Sequence, residues 1–129
     1  EPLPQYLEKH YTTIDAENFV IAADAMEEVV RSGTGQYRAS LKDIVVCGKT
    51  GSVQNDAKTV RNPKPDHSVF IAYAPKENPK IAVSVYVEYA GQGARAAASI
   101  ASLMIEKYLY DSTKRPHIEA YVKRGKFLD

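Results

Sequence analysis

Apolar positions along this chain alternate between helical and strand-like spacing. Phe19, Ala22, Ala23, Met26, Val29 and Val30 recur at helical steps behind Asp15, a plausible N-cap, and Gly33 stands where a helix would stop, so residues 16–31 are predicted to be helix. Glu17, Asp24, Glu27, Glu28 and Arg31 fall on the other side and read as a solvated face. Gly33-Thr34-Gly35 then turns the chain. Residues 44–54 start β-branched and apolar and become polar, the pattern of a strand buried at one end and open at the other, and residues 55–66 read as a loop beside the open end. Residues 69–74 and 81–88 are two more strands, joined by a loop short enough for an antiparallel pair. In the second, Ile81, Val83, Val85 and Val87 share one face and Ala82, Ser84, Tyr86 and Glu88 the other, so one side packs into a core. Residues 94–109 carry Ala97, Ile100, Ala101, Met104, Ile105 and Tyr108 as an apolar stripe, with Arg95, Ser99, Ser102 and Glu106 on the polar side. The five alanines of this stretch suit a helix lying close on the sheet. Residues 111–129 form a more polar tail with a short helix over 117–126.

Composition adds bounds rather than identity. The 129 residues, 44% hydrophobic and 26% charged, fit one domain with one core. Seventeen basic against sixteen acidic residues give a net charge of +1, so bulk charge points to neither nucleic acid nor an anionic membrane. A single cysteine, Cys47, excludes an internal disulfide and reads as a small buried hydrophobe. His10, His67 and His117 lie far apart, without the close pairing that metal sites use, and no metal or cofactor is expected. No run reaches the roughly 18 apolar residues of a membrane helix, so the chain itself is expected to be soluble. It begins at Glu1 in a proline-bearing polar stretch, as a piece cut from a longer polypeptide would.

One run carries candidate chemistry. Val45-Val46-Cys47-Gly48-Lys49-Thr50-Gly51-Ser52-Val53-Gln54 brings an apolar strand directly into a lysine set among glycines and hydroxyls. A positive charge, small hydroxyls and unobstructed backbone N–H groups on a sheet edge suit a carboxylate or a developing oxyanion. The run is not a phosphate-binding loop, which needs a glycine where Asp43 stands, a flexible segment where Ile44 to Cys47 form a strand, and a helix opening at Thr50. The alternative is an edge strand that pairs with an extended peptide, Gly51 removing the side chain that would block its approach.

Gly48-Lys49-Thr50-Gly51-Ser52-Val53-Gln54 resembles the lysine-threonine-glycine motif of penicillin-binding transpeptidases and serine β-lactamases. The helix and Gly33-Thr34 turn ahead of it, the run from Asp66-His67-Ser68 to Ala74-Pro75, Asn78-Pro79-Lys80 and the helix ending at Leu109 resemble the end of the elongation-specific penicillin-binding protein 2 family, in wording closest to its Bacteroidetes form. The resemblance covers about residues 11–109. It implies that Lys49 binds the carboxylate of substrate or β-lactam and helps relay protons, and that Thr50 supports the site by hydrogen bonding. Ser52, where the family usually has threonine, is implied to offer its hydroxyl to the carboxylate and its N–H to the oxyanion hole, with Gly51 leaving room and Gln54 lining the stem-peptide groove. Val53 replaces a usual alanine, and residues 92–97 lack a tryptophan often found there.

The other half of such a mechanism is missing. The family's nucleophile is a serine followed three residues later by lysine, completed by a serine-x-asparagine motif. No serine here has a lysine at the first spacing or an asparagine at the second. The expected fold class is therefore α+β: residues 1–129 as the C-terminal part of a β-lactamase/transpeptidase-like domain, three antiparallel strands packed with two main helices. The resemblance implies a longer parent that cross-links peptidoglycan, anchored in the inner membrane with this region in the periplasm. Its implied partners are stem peptides, β-lactams, the upstream part of the same transpeptidase and the elongation machinery. The strand at 81–88 would lose a neighbour without that upstream part, which predicts a homodimer or an exchanged element through its edge. The competing expectation is a self-contained module that binds peptide carboxylates, or dimerises, without catalysis.

Overall fold

A computed structural model describes residues 3–55, 59 and 63–128. Half of the predicted loop at 55–66 lies outside the described residues. After a 3-10 turn at Pro4–Tyr6, the chain forms α1 (Ala16–Arg31), the short α2 (Gln36–Ala39), β1 (Cys47–Val53), β2 (His67–Ala74), β3 (Ile81–Val87), α3 (Ala97–Tyr110) and α4 (Pro116–Arg124). The strands make one antiparallel sheet in the order β1-β2-β3, so β1 and β3 are its edges among the described residues. The α+β architecture is thus as expected, with α4 where the short helix over 117–126 was predicted and α2 added. The first strand starts at Cys47 rather than at residue 44, because Val45 turns its carbonyl to the Lys76 N–H, 2.9 Å away in the β2–β3 loop.

Strand alternation sorts the sheet into two faces. Ser68, Phe70, Ala72 and Ala74 of β2 are all buried, and Ile81, Val83, Val85 and Val87 of β3 join the same core, as the alternation in β3 predicts. Helix α3 covers this face. Ala97, Ala98 and Ala101 are wholly buried there, so the absence of larger side chains lets the helix lie close to the strands. Phe70 and Ile105, both fully buried, each contribute about 2 kcal/mol through the surface they remove from water.

The polar side predicted for α3 is not solvated. Ser99 and Ser102 are fully buried and Glu106 is 2% exposed, whereas Met104 and Tyr108 of the predicted stripe are exposed. Each buried polar group has a partner: Ser99 Oγ donates to the Arg95 carbonyl at 2.6 Å, Ser102 Oγ to the Arg38 carbonyl at 2.8 Å, and Glu106 Oε1 accepts from Arg115 Nε at 2.9 Å. The helix is rotated toward α2 and α4, which cover what periodicity assigned to water. Helix α1 departs from expectation in the other direction. Only Val30 of its stripe is buried, and Phe19 is 51% exposed, because no element among the described residues lies over that end of the helix. Its charged side is partly engaged: Lys76 Nζ lies 2.5 Å from Asp24 and 2.6 Å from Glu27, tying α1 to the β2–β3 loop. The tail holds α4, anchored by the buried Ile118, and Gly125 ends it at φ +64°. No described helix is long and apolar enough to cross a membrane.

Candidate functional site

The Gly48–Ser52 run occupies the middle of edge strand β1. Pairing with β2 sets its register as Gly48 opposite Ala72, Lys49 opposite Ile71, Thr50 opposite Phe70, Gly51 opposite Val69 and Ser52 opposite Ser68. Gly48, Thr50 and Ser52 therefore belong to the α3 face, and Lys49 and Gly51 to the opposite one. Gly48 is required by the core beneath it: a Cβ there would overlap the ring of Phe70 and stand 3.1 Å from the Ile71 carbonyl oxygen. Cys47 is buried, its thiol directed at the Ala23 carbonyl of α1 at 3.5 Å, as the reading of a small buried hydrophobe predicts. It pairs with Tyr73 at one end of the ladder while His67 pairs with Val53 at the other, so the two cannot share a metal.

Lys49 is exposed, on the face that α3 leaves open. Its ammonium donates to the Thr50 carbonyl at 2.7 Å, and it enters no ion pair among the described residues. Its ladder neighbour Ile71 is 47% exposed although it sits on the central strand. Tyr86 on β3 is 53% exposed on the same face. A half-bare central strand beside an unpaired lysine is an unfinished surface, whose apolar positions suit cover by protein rather than water.

On the other face, Thr34, Thr50, Gly51, Ser52, Gln92, Gly93 and Ala94 line a cavity of about 390 Å³. Thr34 Oγ1 and Thr50 Oγ1 are 2.9 Å apart. The loop before α3 is pinned by the fully buried Ser68, whose hydroxyl donates to the Gln92 carbonyl at 3.1 Å and accepts from the Ala97 N–H at 3.1 Å. Gly93 then lies directly over β1. A Cβ on it would overlap the Gly51 carbonyl oxygen and meet the Gly51 nitrogen at 2.8 Å. A Cβ on Gly51 itself would meet only Val69 Cβ, at 3.6 Å, so the small residue needed for close approach is Gly93. Gln54 follows β1 and is exposed beside Asn55, whose N–H bonds Asp66 Oδ1 at 3.1 Å and closes the base of the β1–β2 loop.

The structure thus brings Lys49, Thr50, Gly51 and Ser52 together on one strand, with Gln54 just beyond its end. Sequence reasoning missed Thr34, Gln92, Gly93 and Ala94 as parts of the site. The available signals were Gly33-Thr34-Gly35 and Gly91-Gln92-Gly93, two turns with glycines around one polar residue.

Three antiparallel strands with α3 across one face thus carry the lysine-threonine-glycine run on an edge strand. The penicillin binding protein transpeptidase domain family matches residues 5–106, and the chain belongs to that family. Within it, the relatives place the chain with penicillin-binding protein 2. The peptidoglycan D,D-transpeptidase MrdA of Haemophilus influenzae is 34% identical over 111 residues, 78% of this chain and 17% of the relative. The crystal structure of Pseudomonas aeruginosa PBP2 in complex with WCK 5153 matches with a TM-score of 0.67 and 28% identity over 83% of this chain and 23% of that one. The imipenem acyl-enzyme of penicillin-binding protein A from Mycobacterium tuberculosis matches with a TM-score of 0.64 and 25% identity over 78% of this chain and 21% of that one. The chain therefore spans about a sixth of the length of the MrdA relative it matches.

Proposed function

We propose that this chain supplies one wall of the active site of a longer peptidoglycan D,D-transpeptidase, and that residues 1–129 are the C-terminal part of its catalytic domain. The observation that carries the reading is Lys49, exposed and in no ion pair among the described residues, on an edge strand whose open face is half-bare at Ile71. In the reaction, a serine from upstream sequence attacks the carbonyl carbon of the penultimate D-alanine, and terminal D-alanine leaves as its amine. The acyl-enzyme is then taken by an amine of a neighbouring stem. Thr50 and Ser52 present their hydroxyls to the terminal carboxylate from the α3 face, and Lys49, rooted on the opposite face with its ammonium already at the Thr50 carbonyl, reaches the carboxylate around the strand, with room left at Gly51. The Ser52 N–H faces the oxyanion that forms on the attacked carbonyl, and Gln54 lines the path of the stem peptide. A β-lactam, carrying a carboxylate beside a strained amide, takes the same place.

Open apolar surface supports the same reading. Phe19 and Ile71 are exposed, and a groove of about 490 Å³ runs between Ile81, Ile100, Leu103, Met104 and Val122. The upstream part of the transpeptidase covers these surfaces and pairs with the free edge of β3. The whole protein sits in the inner membrane with this region in the periplasm, working with the elongation machinery. Without the upstream part, β3 pairs with a second copy of the chain. Sedimentation tests that last point, and a monodisperse monomer would contradict it. The main proposal is tested with fluorescent penicillin. The longer protein takes a covalent label and the 129-residue chain does not; a labelled chain would show that it carries its own nucleophile.

A further inference from the structure

Thr34, in the turn after α1, has no chemical role assigned from the sequence, yet it touches the site. We infer that Thr34 is a positioning residue whose hydroxyl fixes the side chain of Thr50 and turns the Thr50 proton toward the bound carboxylate; this rests on the reading of Lys49 to Ser52 as the carboxylate wall. The two hydroxyl oxygens are 2.9 Å apart and line one cavity with Ser52. A threonine hydroxyl has a single proton and two lone pairs. An anion at the wall accepts only, so the Thr50 proton goes to it. The bond between the two threonines can then persist only with Thr34 as donor. The result is a chain in which Thr34 O–H donates to Thr50 Oγ1 and Thr50 O–H donates to the carboxylate, each bond polarising the next. Without its partner, the Thr50 hydroxyl is free to sample other staggered rotamers.

Such a role requires Thr34 to be held independently of the ligand, and it is. Its turn is fastened to the end of α1 by Gly33 N–H to the Glu28 carbonyl at 3.0 Å and Gly35 N–H to the Val29 carbonyl at 2.9 Å. A Cβ on Gly33 would lie 2.9 Å from Val29 Cα, so the turn is seated against α1 with no slack. Beyond the turn, α2 is pinned where the Arg38 carbonyl accepts from Ser102 Oγ at 2.8 Å and Arg115 Nη1 at 3.0 Å. Thr34 is thereby fixed between α1 and the buried face of α3 while its own side chain stays exposed.

The test uses the full-length transpeptidase that contains this segment. Thr34→Val removes the hydroxyl at nearly constant shape and Thr34→Ser keeps it. Thr34→Val lowers the second-order acylation constant for fluorescent penicillin by about 3- to 10-fold, the range expected for one neutral hydrogen bond. It leaves the constant for the corresponding carboxyl methyl ester unchanged, Thr34→Ser stays within about 2-fold of wild type, and the melting temperatures of all three proteins agree. Wild-type acylation in Thr34→Val, an equal fall for penicillin and ester, or failure of Thr34→Ser to retain the rate would overturn the role of Thr34 alone. A wild-type protein that takes no label would overturn the site reading, and this inference with it.

Discussion

The backbone of Gly93 rests on the backbone of Gly51, so the loop that leads into α3 is in direct contact with the lysine-threonine-glycine strand. There is no room for a side chain at position 93, where a methyl group would overlap the Gly51 carbonyl and stand 2.5 Å from the Val69 carbonyl oxygen. Because both neighbours are strand backbone, the overlap cannot be relieved by a rotamer change.

Gly93→Ala is accordingly expected to destabilise by about 3 kcal/mol, the upper part of the range for overpacking, and to slow acylation by shifting β1. Gly125→Ala is the contrasting case. A Cβ there meets nothing within 4 Å, and its cost comes only from the left-handed backbone at φ +64°. That cost is about 1 kcal/mol, with acylation unchanged. Urea midpoints of the two variants, and their labelling rates in the full-length protein, check the pair; equal effects on labelling would contradict the assignment of Gly93 to the site.

Glu106 and Arg115 form the least exposed ion pair described, with side chains 2% and 15% exposed. Arg115 also bonds the carbonyl of Arg38, so it joins α3, α2 and the start of α4. Arg115→Ala strands the Glu106 carboxylate in the interior and is expected to cost about 3–5 kcal/mol, whereas Glu106→Leu combined with Arg115→Met comes close to neutral. Denaturant unfolding of both variants decides, and a double variant as unstable as the single would contradict the assignment of the cost to an orphaned charge.

Tyr73 titrates high, pushed up to about 12 from 10.0, first by its hydrogen bond with Cys47 and then by burial. A raised folded-state value means that stability from the neutral phenol is complete below pH 10.0 and is lost as pH rises toward about 12. Unfolding midpoints measured between those limits are expected to fall, and Tyr73→Phe is expected to remove part of the slope. An unchanged slope in that variant would refute the assignment.

Much of this arrangement was legible in local pattern. The span of α1 followed from the Asp15 cap position, the helical recurrence of its apolar residues and the glycine after it. The two-residue alternation of Ile81 to Val87 identified the core face of β3. What local pattern misassigned was decided by distant residues. Ser102 is buried because the Arg38 carbonyl, 64 positions earlier, accepts its proton, and Glu106 because Arg115 meets it. The same reasoning applies to the site. Lys49 to Ser52 stood out by composition, whereas Thr34 and Gly93 join them only through folding, and their glycine-bounded turns do not show by themselves which strand they meet.

Lys49 is proposed to hold a carboxylate for a serine supplied by upstream sequence. That role is tested most directly by following fluorescent-penicillin acylation of the full-length protein, its Lys49→Ala variant and the 129-residue chain alone. Rapid labelling is expected of the first, a fall of about 100-fold or more in the second, and none in the third. Labelling of Lys49→Ala at the wild-type rate, or any covalent label on the chain alone, would contradict it.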